Sequence, residues 1–275
     1  MHACTILARN YLAHARVLAR SFLEQHPGSS FHALILNPAP GPDGDEPFEV
    51  VKPDDLFSAE EWGPLWHAYS VLELATAVKP RLLRHLLERF GEGAVYLDAD
   101  IRVYRALAGL EGLLDRHDVL LSPHTVHPLP RDGRNPGERD LLGAGIYNLG
   151  FIGVGGRARP FLDWWWERLE RQCLVAPESQ LFVDQRWMDF APALFDCHLV
   201  KDPTVNVAYW NLGPRQLTLG DHGYLVNGEP LTFFHFSGYD PRQPWLLSRH
   251  GGEKPRVLLS ENPALRRLCD EYAAE

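Results

Sequence analysis

Residues 94–97, Ala-Val-Tyr-Leu, are an apolar run that stops at two carboxylates, Asp98 and Asp100. The stretch 94–103 reads as a buried strand, because a short apolar run bounded by Gly91 and Gly93 suits a strand better than a helix. A strand sends alternate side chains to one face, so Asp98 and Asp100 are expected to project together. Unpaired charges at a buried strand end are costly. A divalent cation shared between them removes that cost and marks a site suited to phosphates.

Other runs place this strand in an α/β framework. Residues 3–8 read as a strand, and a helix capped by Asn10 runs to about residue 25, with Leu12, Ala15, Leu18, Ala19, Phe22 and Leu23 at helical spacing. His26-Pro27-Gly28 ends it, and residues 31–36 form the next strand. Strand-helix-strand openings belong to α/β sheets. The segment 37–47 is a Pro/Gly/Asp-rich loop, and 61–90 is mainly helical, restarted at Pro80 and ended by Gly91. Strands are expected at 118–122, 147–154, 196–200 and 231–236, and helices at 158–173, 178–190 and 262–273. The polar stretch 123–145 is too long for a plain connector, which suggests a functional loop.

The chain has 275 residues, near the limit for a single core, so one domain over 1–275 is expected, with 246–275 as a peripheral helix and tail. The formal charge of −9 argues against a nucleic-acid partner, which needs a basic face. Cys4, Cys173, Cys197 and Cys269 are scattered and form no Cys-x-x-Cys pair, so reduced thiols are expected rather than a disulfide framework. No apolar stretch approaches the roughly 20 residues that span a bilayer. The first residues lack the pattern of a signal peptide, so a cytoplasmic protein is expected.

His235 lies near the end of the apolar strand 231–236. Alone it reads as a hydrogen-bonded structural residue; beside Asp98 and Asp100 it completes a donor set that suits Mn²⁺, and Mg²⁺ somewhat less. Four motifs then occur in order: Val95-Tyr-Leu-Asp-Ala-Asp100, Tyr147-Asn-Leu-Gly-Phe151, Phe182-Val-Asp-Gln-Arg186 and His235-Phe-Ser-Gly238. Together they resemble the retaining GT-A glycosyltransferases of family 8, the class of glycogenin and the bacterial lipopolysaccharide galactosyltransferases, over about residues 3–245. The fold this resemblance implies is α/β: a mixed, mainly parallel sheet flanked by helices, with the donor site at strand carboxyl ends.

The resemblance implies roles at named positions. Asp98, Asp100 and His235 would hold the metal. Ala8, Asn10, Tyr11, Lys79, Asp98, Ala99, Asp100, Gly238 and Arg242 would form the nucleotide-sugar site, with Lys79 near the phosphates or sugar. Asn148 would touch the sugar or the attacking oxygen, Asp184 would grip sugar hydroxyls, and Gln185 would lie under the anomeric carbon. Read without the family, Lys79 caps a helix junction, Asn148 is a strand-edge turn residue, and Asp184 and Gln185 sit on an exposed helix face.

Two positions depart from the family pattern. The resemblance favours a UDP-sugar, but Ala8 stands where the family's carboxylate reads uracil, which leaves the base open to another nucleotide. The family's Lys-Pro-Trp is Gln243-Pro244-Trp245 here, and Arg242 either supplies the missing charge to the phosphates or points into solvent. Trp164-Trp165-Trp166 cannot share one helix face. Trp165 fits a stripe with Phe161 and Leu169, and the others form a broad packed face or mark a partner or peripheral membrane contact.

The expected activity is metal-dependent transfer of a hexose-type sugar from a nucleotide-diphosphate donor to a hydroxyl of a carbohydrate or glycolipid acceptor, such as a cell-envelope glycan, with retention. A non-catalytic nucleotide-sugar binder is an alternative. A haloacid-dehalogenase phosphatase also carries Asp-x-Asp, but on its first strand and with Thr or Val two residues after the second Asp; Arg102 and the preceding strand-helix-strand unit weigh against it.

Overall fold

The computed structural model describes residues 1–38 and 45–275; the middle of the expected 37–47 loop, residues 39–44, lies outside them. The strands are β1 (His2–Leu7), β2 (Ser30–Ile35), β3 (Glu49–Val51), β4 (Ala94–Leu97), β5 (Ile101–Val103), β6 (Val119–Pro123), β7 (Tyr147–Val154), β8 (Val175–Ala176), β9 (Leu181–Phe182), β10 (Cys197–Leu199), β11 (Leu217–Gly220), β12 (Gly223–Val226), β13 (Glu229–Pro230) and β14 (Phe233–His235). The helices are α1 (Leu12–Gln25), α2 (Ala59–Ala68), α3 (Val71–Ala77), α4 (Lys79–Phe90), α5 (Ala108–Leu114), α6 (Glu138–Ala144), α7 (Arg159–Gln172), α8 (Ala191–Leu194) and α9 (Pro263–Ala274).

Seven strands form the central sheet in the order β10-β6-β7-β4-β1-β2-β3. Every neighbouring pair is parallel except those that β7 makes with β4 and β6. This is the expected mixed, mainly parallel sheet. The alternation along β1 sets the layers: Cys4 and Ile6 pack toward α3, α4 and α7, whereas Ala3 and Leu7 pack toward α1 and α5. Strand order reverses at β1, with β2 and β3 following on one side and β4 on the other, so a crevice opens at the carboxyl ends of β1 and β4.

The helices follow local chemistry. Ser58 and Ser70 each accept a hydrogen bond from the N–H of the glutamate three residues on, and Glu61 and Glu73 bond back to the serine N–H. The second of these boxes breaks the expected 61–90 helix into α2 and α3. Pro80 sits in the first turn of α4, and Gly91, at φ +70°, ends it. Leu82, Leu83 and Leu86 are fully buried along α4; each such side chain stabilises the fold by about 1.5–3 kcal/mol over exposure.

Several expectations need correction. Asn10 does not cap α1: it lies in a 3-10 turn, Arg9–Tyr11, and Tyr11 precedes the helix without a side-chain cap. Residues 178–190 are not a helix but a tight β8–β9 hairpin followed by a 3-10 turn, Gln185–Phe190. The stretch 123–145 is not all loop, because α6 occupies its end. Trp165 is fully buried with Phe161 and Leu169; Trp164 stacks against Phe161 and packs edge-on to Phe195, and Trp166 packs on Phe57, so the broad packed face is what forms.

Beyond the main sheet, β11–β13 and α9 enclose a third core with β14. Tyr272 of α9 stacks on Phe236 at 3.7 Å between ring centroids. No helix among the described residues is long and apolar enough to cross a membrane, and all four cysteines are free.

Candidate active site

The two carboxylates do not share a strand face. β4 ends at Leu97, and the chain turns: the Ile101 N–H donates to the Asp98 carbonyl at 3.1 Å before β5 begins. The turn replaces strand alternation as the cause of their convergence. β5 then pairs antiparallel with β14, with His235 opposite Ile101, which delivers the imidazole to the turn. His235 Nε2 lies 3.1 Å from Asp100 Oδ1 and 3.7 Å from Asp98 Oδ2. One ligand atom from each of the three residues falls within 4.8 Å of the others.

Burial alone would lower the His235 pKa, but Asp100 and Asp98 outweigh it and hold the ring above its ordinary value. Burial likewise works against the Asp100 charge, and His235 overcomes it and pulls the carboxyl below the usual range. Tyr96 donates its hydroxyl to Asp98 Oδ1 at 2.8 Å, fixing that carboxylate from below. The three side chains fit a divalent cation: they are two hard oxygen donors and one borderline nitrogen, clustered within reach of a single ion. Gly150 makes room for them. A Cβ there would lie 2.3 Å from His235 Cε1 and 2.8 Å from Asn148 Oδ1.

Behind this turn lies an open cleft, lined among others by Lys79, Asp98, His124, Asn148, Asp184, Gln185, Trp210 and His235. Lys79, at the start of α4, is buried rather than a surface cap. Its Nζ is 2.9 Å from Asp184 Oδ2 and 3.7 Å from Asp98 Oδ1, and it donates to the Leu149 carbonyl at 2.9 Å. Burial disfavours the ammonium, yet the two carboxylates hold its pKa above the ordinary lysine value. For Asp184, burial wins: despite Lys79 the carboxyl is pushed up to about 6, with Asp98 adding repulsion. One ammonium thus serves two carboxylates.

Asp184 and Gln185 reach the cleft from a turn, since Val183 adopts φ +42° after β9. They are buried, not on an exposed helix face. Asn148 is also buried, on β7, where the expected strand 147–154 forms with the same bounds. Gln185 Oε1 accepts from Asn148 Nδ2 at 3.3 Å and from the Leu149 N–H at 3.2 Å, and Gln185 Nε2 donates to the Ala144 carbonyl at 2.8 Å.

On the other side of Asp100 a second cavity is lined by Asn10, Tyr11, His14, Gly238, Arg242 and Arg249. Gly238 has φ +70°, and a Cβ there would meet His250 at 2.5 Å. Arg242 points into solvent and is engaged by Asp240 at 2.8 Å. Ala8 is buried at the end of β1, and Ala99 packs into the core beneath the turn, so neither presents a polar group.

Three residues of the site escape a reading of the sequence. His124, at the end of β6, is buried with Nε2 3.4 Å from Asn148 Nδ2. Trp210 packs edge-on to His235 at 5.2 Å. Asn206 stands between His235 and Asn148. Each is a single residue in an unpatterned segment, and the only signal is the lone Asn206 between Val205 and Val207.

No known family's sequence profile matches the chain. Among curated proteins, it is 37% identical over 181 residues to the uncharacterized protein YfnF of Bacillus subtilis (strain 168), covering 61% of this chain and 57% of that one. It is 25% identical over 174 residues to YfnD of the same organism, covering 61% and 54%. The aligned part is therefore little more than half of each relative. Among solved structures, the galactosyltransferase LgtC in complex with donor and acceptor sugar analogs superposes with a TM-score of 0.58 at 15% identity, over all of this chain and 95% of that one. The bifunctional glycosyltransferase WbbM gives 0.55 at 14%, over all of this chain and 50% of that one. GlyE of Streptococcus pneumoniae TIGR4 gives 0.51 at 13%, over all of this chain and 60% of that one. These similarities establish the fold as GT-A.

Proposed function

We propose that the chain is a divalent-cation-dependent glycosyltransferase that moves a hexose-type sugar from a nucleotide-diphosphate donor to a hydroxyl of a carbohydrate or glycolipid acceptor, with retention of configuration. The observation that carries this reading is the meeting of Asp98, Asp100 and His235 at the mouth of a cleft whose inner wall holds the buried Lys79–Asp184 pair. A protein of the same fold, LgtC, is known with donor and acceptor sugar analogs bound.

Asp98, Asp100 and His235 would hold the cation, Mn²⁺ by preference, which when bound would neutralise charge on the departing diphosphate. The residues of the chain do the rest. Tyr96 and the Gly150 carbonyl hold Asp98 in place. Lys79 is a fixed positive charge near the phosphates, already desolvated, so it needs no reorganisation as charge develops. Asp184 and Asn148 face the sugar. Asp184 is paired with Lys79 through Oδ2, and three hydrogen bonds hold the Gln185 amide in place. We favour substitution on the same face, with the leaving phosphate taking the acceptor proton, a route that needs no nucleophile from the chain. Trapping a glycosyl-enzyme adduct by mass spectrometry would overturn that route.

Ala8 offers the donor base no polar group, so a UDP-sugar is one of several donors to test. The decisive experiment incubates the protein with Mn²⁺ and UDP-, GDP- and dTDP-sugars and follows nucleoside diphosphate release and melting temperature, since a ligand that binds the native state raises it. One donor class should be turned over, and Asp100→Ala should abolish turnover while the far-UV spectrum stays native. Full activity in that variant, or no donor response at all, would sink the reading.

A further inference from the structure

We infer that Asn206 is a positioning residue that sets the metal ligand His235 and the sugar-facing Asn148 with one amide group; this rests on the metal-dependent reading above. The assignment starts from a group that cannot be reversed. The backbone N–H of Gly150 donates to Asn148 Oδ1 at 3.0 Å, so that atom is an oxygen and an acceptor. The Asn206 side-chain atom 3.0 Å from the same oxygen must then be the donor, Nδ2. Its other atom, Oδ1, is thereby turned toward His235 Nδ1, 3.3 Å away. An oxygen there requires Nδ1 to carry the proton. Nε2 is left as the nitrogen that faces Asp98 and Asp100, and it is the only one of the two that can ligate a cation beside them.

The far end of the network agrees. Asn148 Nδ2 has two protons, and two acceptors meet it: Gln185 Oε1 at 3.3 Å and His124 Nε2 at 3.4 Å. His124 Nδ1 in turn lies 3.3 Å from the Ile146 carbonyl, so it carries that ring's proton. Every amide in the chain of contacts has one orientation only.

Asn206 is itself held in an unusual state. It is buried and has φ +53°, a left-handed conformation that asparagine adopts more readily than most residues. Asn211 Nδ2 donates to its carbonyl at 3.0 Å and to that of His124 at 3.1 Å. Val207, next in the chain, accepts the His235 N–H at 2.8 Å, so the segment is registered on β14.

The left-handed backbone also supplies the test. Asn206→Gly keeps the conformation without strain and removes the side chain. Asn206→Asp keeps an acceptor for His235 but presents an oxygen to Asn148 Oδ1. Mn²⁺ affinity, measured by calorimetry without donor, should fall about 10- to 100-fold in Asn206→Gly, the usual cost of losing a ligand's outer partner. Asn206→Asp should keep the affinity within about threefold and lose turnover with saturating donor, a split that a merely structural role would not produce. Wild-type affinity in Asn206→Gly, or parallel losses of affinity and turnover in both variants, would overturn the inference. A readout without metal separates it from the functional proposal. Nitrogen-15 histidine spectra of the metal-free protein should show a hydrogen-bonded Nδ1–H for His235 that vanishes in Asn206→Gly. If that signal is present but wild type binds no Mn²⁺, the metal reading fails and the pairing stands; if the signal is absent from wild type, the pairing is wrong.

Discussion

Two single residues carry much of the energetic tension in the cleft. Lys79 is a buried ammonium between two carboxylates, and removing it strands Asp184 in a site with little water. Lys79→Met should cost about 3–5 kcal/mol in urea unfolding at pH 8. The cost should shrink toward pH 5, because Asp184 already titrates at about 6 and a neutral carboxyl needs no partner. A loss below about 1 kcal/mol at pH 8 would mean the pair is not desolvated in solution. Gly150 is the second. A methyl group there overlaps the imidazole, so Gly150→Ala should weaken Mn²⁺ binding at least tenfold by calorimetry and lower stability by about 1–3 kcal/mol. Unchanged Mn²⁺ affinity would show that the ring has room to move. Neither effect could be read from the chain alone. The residues were visible, but Lys79 at a helix start and Gly150 inside a strand acquire their meaning only from segments far away in sequence.

At the level of elements, the legible parts are those with a repeating pattern. Residues 147–154 are mainly apolar and flanked by glycines at 145, 155 and 156, and β7 has those bounds. The Leu82-to-Phe90 stripe gave α4, with Pro80 in its first turn. Patterns failed where buried side chains come from irregular backbone. The helix expected over 178–190 is replaced by a tight hairpin and a 3-10 turn, which place Phe182, Val183 and Met188 against the core without a helix. The pairing of β5 with β14, which brings His235 to Asp100, spans residues 101 to 235 and has no local signature.

The segment 123–145 is tied down rather than free. Arg256, buried, donates to the carbonyls of Pro130, Arg134 and Pro136 and to the Asp132 carboxylate. Asn135 also exchanges backbone hydrogen bonds with Lys254 and Arg256. Asn135, Pro136 and Asp140 line the cleft, so this clamp shapes its roof. Arg256→Ala should raise the KM for acceptor several-fold, leave donor affinity within about twofold, and cost about 1–3 kcal/mol for the orphaned carbonyls. Equal losses of donor and acceptor binding would show that the roof does not act on the acceptor alone.

The whole molecule should respond to acid through a histidine that cannot hold a proton. Burial drives the His124 pKa down to about 4, against 6.5 for the free side chain. At this ring the unfolded chain therefore binds more protons than the native one between those values, so the contribution of His124 to stability falls as pH drops from about 6.5 toward 4. The expected loss by pH 5 is about 1–2 kcal/mol from this ring. Chemical unfolding at pH 7.5 and 5, in wild type and His124→Gln, should show a shallower decline in the variant. Identical slopes would place the proton sink elsewhere.

The Arg256 clamp has a further consequence for how the protein comes into being. The last strand of the central sheet, β10, leaves the ribosome well before Arg256 does. A nascent chain can thus complete its framework while the cleft still stands unroofed. The cleft therefore takes its finished form only once residue 256 has emerged, later than the sheet that floors it.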